Sequence, residues 1–443
     1  MSQADRGYVR VAPGGPLDTL RGLHQQEPAP LLAKSLFIGG TLPMSRTILQ
    51  VLVIAVMLVA TAAGAFTPAD LTVHDQLAVS FAPQPGPDVV IVDIDDDSLA
   101  KHGRWPWPRP TLARLIDAVS RGNPAVIGID IILSEPDAVA DEQLALAVSK
   151  AGNVVLPAYV ESCRLPKGSA WYTSSAPAVF PLDELSDSAA GIGHVTVLAL
   201  QGGIARRIPF LLGTGDGLLP AFTAEVVRVG LGLDRDDVSV IPGVRAELGN
   251  ATAKTAAAHV APTIPLDSAS CLSPSFTLPA SPARVSAASL LNSSSVGSID
   301  AASILGGKFV LIGVTAGGVG DRHMTPVSSV AGPMPGVLVH ASSINTILRG
   351  GFVRPLPAWA TLASVALLAI LLGTISARLM RARARIALQA ALHLVAALGV
   401  AMLSAFAYAR LHVWIAPVAP IVTCLTLMPL QLYFGAVQGR QLG

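Results

Sequence analysis

Acidic side chains are missing from the last quarter of this sequence: beyond Asp321 there is no Asp or Glu. Charge is thin throughout, 13% of 443 residues, while 51% are hydrophobic, which excludes an ordinary soluble chain. All acids except Asp5, Asp18 and Glu27 lie between Asp70 and Asp321. A chain segregated in this way reads as one that serves two compartments. No basic patch marks the globular part, so nucleic acid is excluded as a partner. No serine, cysteine or zinc catalytic pattern is present, and no P-loop lysine accompanies the glycines.

What the sequence has is long apolar runs. Four segments, 47–66, 358–376, 386–409 and 413–437, approach or exceed the roughly 18–20 apolar residues that cross a bilayer. Backbone groups in lipid must be satisfied within the segment, so each is expected to be helical. Pro417, Pro420 and Pro429 are expected to kink the last one. Arg378, Arg381, Arg383 and Arg385 cluster between the second and third spans, which places that connector in the cytoplasm. Residues 67–356 then lie outside, and both termini inside; Arg410 on the outer turn is the one dissenting charge. The expected location is the bacterial inner membrane, multi-pass, with lipid as one partner and the main domain periplasmic.

Residues 1–46 are rich in Pro and Gly and read as a disordered cytoplasmic segment. Met44 is an alternative start, and from there the first apolar run could be a signal peptide cleaved near Ala63-Gly64-Ala65. An uncleaved span is the expectation, because the apolar core is long for a signal. Cys163 and Cys271 could pair as a disulfide in an oxidising compartment, or could be unrelated thiols. Cys424 falls inside the last span.

The outer segment alternates strand and helix patterns. Val89–Asp95, Ala125–Leu133, Asn153–Val160 and Lys308–Thr315 read as buried strands; Pro110–Arg121, Asp141–Lys150 and Gly336–Arg349 read as helices. The fold class expected is α/β, a mainly parallel sheet with flanking helices and right-handed crossovers. Residues 162–190 and 242–300 read as loops or insertions.

Ligands of parallel sheets bind at the carboxyl ends of the strands. Asp93, Asp95 and Asp130 end strands there, and could hold Mg²⁺ or Ca²⁺ through oxygen ligands. Strand-terminal Asp-x-Asp also resembles the nucleophile and acid of haloacid-dehalogenase phosphatases. Against these stand structural roles: helix capping near Asp95, and pairing of Asp93 and Asp130 with Arg109 or backbone amides. Trp105-Pro106-Trp107-Pro108-Arg109 is either an aromatic wall of a pocket or a plug that seals the sheet edge. The run Gly313–Gly320 could cradle an anion through backbone N–H groups. His340 lies on a helix face, as a core or interface histidine or as a ligand.

Val92–Leu99, Gly103–Arg109, Gly128–Ile131 and Val310–Ala316, followed by Asp321, Thr325-Pro326 and Pro335–Ala341, resemble the second type of CHASE domain. That family senses signals outside the cytoplasm for adenylate and guanylate cyclases, histidine kinases and serine/threonine kinases. The resemblance runs from Leu71 to Pro355 and includes three C-terminal spans. It implies a sensor without catalysis of its own, working as a homodimer or through a separate output protein, with an unknown extracytoplasmic ligand. No cofactor is expected beyond the possible divalent cation at Asp93, Asp95 and Asp130. The family's Asp-Gly-Val-x-Arg turn corresponds to Gln201–Arg206, which keeps Arg206 and lacks the Asp. The family also carries an output domain after its last span. Here only the tail 438–443 follows, so the output is expected beyond Gly443 or on a partner. Rival readings are an envelope metal-dependent phosphatase and a structural scaffold of an envelope complex.

Overall fold

In the computed structural model, residues 46–249, 263–278, 283–292, 301–379 and 385–441 are described. The expectations for residues 1–45, for Arg381 and Arg383 and for the end of the tail lie outside these. Six parallel strands form the central sheet: β1 (Val89–Ile94), β2 (Val126–Asp130), β3 (Val154–Ala158), β4 (Gly191–His194), β5 (Ala283–Ser286) and β6 (Phe309–Val314). Their order is β5-β1-β6-β2-β3-β4. The helix in each crossover is what allows parallel neighbours to be joined.

Successive strand residues face opposite sides, and the apolar runs fill both. Val89, Ile91, Phe309 and Leu311 pack on one side with α6 (Phe222–Gly230) and α7 (Gly336–Arg349). Val90, Val92, Val310 and Ile312 pack on the other with α4 (Arg109–Ser120) and α5 (Ala138–Ala151). Each large side chain so buried contributes about 1.5–3 kcal/mol against exposure. Glycine fixes the closest approaches: a Cβ on Gly313 would lie 2.5 Å from Val337 Cβ. Helix ends follow local rules. Asp95 accepts from Ser98 N–H at 2.8 Å as the N-cap of α3 (Asp96–His102), and α5 stops at Gly152 in the left-handed region.

The α/β reading therefore holds, but the segments read as loops, 162–190 and 242–300, also hold a short helix, Asp183–Ser188, and short strands such as Tyr172–Ser174 and Arg245–Leu248. The segment read as a 242–300 loop supplies an edge strand, β5. A strand, β4, and a helix, α6, were not anticipated, because Gly191–His194 is too short and glycine-rich to show a pattern and α6 follows Ala221, an N-cap without a capping side chain.

The apolar segments are helical as expected and differ from expectation in detail. Among the described residues two stretches are long and apolar enough to cross a membrane: Ala358–Arg378 in α8 (Ala358–Leu379), and Ile386–Leu411, which runs from α9 (Arg385–Phe406) through the turn after it. The first run folds as α1 (Arg46–Ala62), bent by 67° into α2 (Thr67–Ser80), and the pair counts as a span only if taken together. The last, α10 (Val418–Gln441), is apolar over Val418–Phe434 among the described residues. It begins at Val418 rather than 413 because Val413–Trp414 pair in parallel with Arg354–Pro355. Pro420 sits in its first turn, where no N–H is needed, so only Pro429 lies inside the helix. Met57, Val365 and Ala419 pack α1, α8 and α10 together.

Candidate functional site

A cleft of about 1080 Å³ opens along the carboxyl edge of the sheet. Its lining comes from the residues that follow β2, β3, β4 and β6, and from the Trp-Pro segment that leads into α4. Asp130, Tyr159, Glu161, Thr196 and Asp321 contribute polar atoms; Trp105, Ile132 and Val195 contribute apolar wall. The location is the one parallel topology provides, since strand carboxyl ends and the loops after them face one crevice.

Register decides which aspartates reach it. Asp93 pairs with Gly313, and Gly313 with Asp130, so the two aspartates are separated by a whole strand. At the usual strand spacing that puts their backbones about 10 Å apart. The trio Asp93, Asp95 and Asp130 does not converge. Among the described residues no group of three or more His, Cys, Asp or Glu side chains is placed to hold a metal ion.

Asp93 is instead closed from two sides. Arg284 donates to it from Nε at 2.7 Å and from its terminal nitrogen, and the Thr315 hydroxyl donates to its other oxygen. Asp95 accepts from Ser98 and from the Ser286 hydroxyl at 3.0 Å. Burial would raise the Asp95 carboxyl, but these hydrogen bonds outweigh it and hold it below its ordinary value. Neither side chain lines the cleft. Asp96 accepts from Gly317 N–H at 3.0 Å, so an internal carboxylate already meets the glycine run read as an anion cradle.

Arg109 also departs from expectation. It binds Asp141 at 2.9 Å and the Glu135 carbonyl at 2.8 Å, not Asp93 or Asp130. The Trp-Pro segment divides its roles. Trp107 is buried at 3% exposure and donates its indole N–H to Gly103 O at 3.0 Å, sealing the core. Trp105 is half-buried, with its ring 6.3 Å from that of Trp107, and stands in the cleft wall.

Asp130 and Asp321 both line the cleft, and the charge of one acts on the other. Burial, and then the Asp321 charge, push Asp130 up to about 8. Burial works against ionised Asp321 too, but the His323 hydrogen bond at 2.8 Å and the charge of the nearby histidines bring it below its ordinary value. His340 is buried at 1% exposure against the Phe222 ring, and burial lowers it to about 4. His194, also buried, is lowered to about 3.

Arg206 lies away from the cleft. It grips Asp75 of α2 with two hydrogen bonds, 2.9 and 2.6 Å, and donates to Gln201 O at 3.0 Å. Asp70 of α2 accepts from Val418 N–H at 2.9 Å, at the start of α10. His74 of α2 meets the rings of Tyr408 and Trp414 edge-on, at 5.5 and 5.2 Å. Around these contacts a second pocket, about 360 Å³, is walled jointly by α2, the α/β domain and the turn between α9 and α10. Cys163 and Cys271 enter one small cluster with Tyr172 and Leu198, but as free thiols; Cys271 directs its Sγ at Ala269 O. Of the two readings left open, a disulfide or unrelated thiols, the structure shows the thiols.

The sequence missed Tyr159, Glu161, Thr196 and His323 as cleft residues. Position alone could have found two of them, since Tyr159 and Glu161 sit at the end of the strand read at Asn153–Val160; Thr196 follows β4, which the sequence does not reveal.

No curated protein and no solved structure matches this chain. Residues 51–377, well over half of it, match the CHASE2 domain, a sensory extracellular domain of cyclases and kinases. The match spans the sheet, the cleft, the Arg206 clasp and the first helix after the domain, and by it this chain belongs to the CHASE2 family.

Proposed function

We propose that the chain is a bacterial membrane sensor module whose outer domain binds a signal in the carboxyl-edge cleft and relays it to an output domain or a separate cyclase or kinase. The observation that carries this is the cleft itself, set in a CHASE2 domain at the edge where parallel sheets bind ligands. A ligand that closes the cleft shifts the domain only if it binds two states with different affinity. The route to the membrane is the set of contacts around α2: Arg206 to Asp75, Asp70 to Val418, and the short pairing of Arg354–Pro355 with Val413–Trp414. The arginine cluster after α8 supports a cytoplasmic connector and an outer domain in the periplasm.

In this reading the chain has no catalysis of its own, needs no cofactor, and acts as a homodimer or with an output protein. The closed environment of Asp93 and the capping role of Asp95 support it over a phosphatase. The test is native purification of the chain in detergent with mass spectrometry of bound small molecules. A molecule that is retained by the wild type and lost when Thr196→Trp fills the cleft supports the reading. An empty cleft with a tightly bound protein partner would favour the scaffold instead.

A further inference from the structure

Acidic groups outnumber basic ones in the cleft lining. Glu135, Asp137, Glu161 and Asp321 supply carboxylates, Asp130 beside them stays protonated up to about pH 8, and Arg109 and His323 are the lining residues of basic type. Both of these are already engaged, Arg109 with Asp141 at 2.9 Å and His323 with Asp321 at 2.8 Å. Among the described residues Asp130, Glu135, Asp137 and Glu161 have no side-chain partner in the protein. A concave, low-dielectric wall focuses such a field and draws counter-charge into the cavity.

The geometry also separates two kinds of cation. A bare Mg²⁺ or Ca²⁺ needs several oxygens converging on one point. The described residues offer no such point. The carboxylates are instead distributed over the loops after β2, β3 and β6, around a space of about 1080 Å³. Between them stand the faces of Trp105 and Tyr159, the latter 44% exposed. Aromatic faces attract ammonium groups and pack against methylene stems.

We infer that the cleft takes an extended organic polycation of the polyamine class, its ammonium groups on the distributed carboxylates and its methylenes against Trp105 and Tyr159. The inference rests on the reading of this cleft as the ligand site and names the chemistry of what it binds.

The experiment is isothermal titration of the full chain in detergent with spermidine, alongside Mg²⁺, sucrose and glutarate as probes of the other chemistries. Spermidine is expected to bind saturably and to weaken as salt rises. The double variant Glu135→Gln/Glu161→Gln, both at the cleft rim, is expected to weaken it about tenfold. Asp216→Asn, an exposed acid outside the cleft, is expected to leave it unchanged. Absence of spermidine binding, or equal weakening by the Asp216 variant, overturns the inference. If sucrose or glutarate binds instead and Thr196→Trp abolishes that binding, the polycation is wrong while the cleft remains the ligand site. If no probe binds and a copurified molecule survives Thr196→Trp, both fall together.

Discussion

Asp130 offers a pH dependence whose sign can be worked out from its surroundings. Burial and the Asp321 charge raise its carboxyl from 3.8 to about 8, so the folded protein keeps a proton there that the unfolded chain releases near pH 4. The stability this proton confers is complete below pH 4 and is lost as pH rises through 8. Two buried histidines act in the opposite sense. His194 and His340 are lowered from 6.5 to about 3 and about 4, so their contribution is complete above pH 6.5 and is lost as pH falls. Below pH 6.5 the trends therefore oppose one another. Between pH 6.5 and 8 the Asp130 trend stands alone, at about 1.4 kcal/mol per pH unit, or about 2 kcal/mol across the window. For a domain of this size that corresponds to roughly 4–8 °C in the unfolding midpoint. The assay is thermal unfolding of the full chain in detergent, followed by tryptophan fluorescence, at closely spaced pH values. The wild type is expected to lose stability over this window. Asp130→Asn is expected to stay flat and to be the more stable protein at pH 8. A flat wild-type profile, or the same slope in the Asn variant, would refute the argument.

The clasp between Arg206 and Asp75 is half-buried and doubly hydrogen-bonded, so a double-mutant cycle with Arg206→Ala and Asp75→Ala should give about 1–3 kcal/mol of coupling. Hydrogen exchange should show faster opening of α2 in either single variant, while ligand binding in the cleft persists; unchanged exchange would remove Arg206 from the route to the membrane. Gly313→Ala places a methyl against Val337 and should destabilise the domain by about 1–3 kcal/mol, read as a lower denaturation midpoint; relief by Val337→Ala would confirm the contact as the cause. Asp95→Ala removes the α3 cap and should cost about 1 kcal/mol without affecting cleft binding, measured by denaturation and by titration of the same preparation. Asp93→Asn leaves Arg284 without its charged partner, so it should lower stability while phosphate-ester hydrolysis stays at the blank in both proteins; metal-dependent hydrolysis lost in the variant would restore the phosphatase reading.

The sequence by itself determined the parts that depend on local pattern. Runs such as Val89–Ile94 and Phe309–Val314 are buried on both faces, so they are continuous and apolar, and they read as parallel strands before any contact is known. The helix at Gly336–Arg349, the apolar segments and the aspartates at strand ends were legible for the same reason. β4 was not, because four residues including two glycines carry no period, and β5 lay inside a segment whose composition reads as loop.

Only the tertiary structure decided what each charged group does. Strand order put β6 between β1 and β2, and so separated Asp93 from Asp130 by a strand that lies far away in the chain. The same order gave Asp93 to Arg284, from an edge strand, and left Asp130 alone in the cleft. Arg206, 131 residues from Asp75, became a clasp on α2 rather than a ligand of the cleft. Sequence spacing fixes which face of an element a side chain occupies; a charge finds its partner across elements, and that pairing is set by the order in which the strands and helices pack.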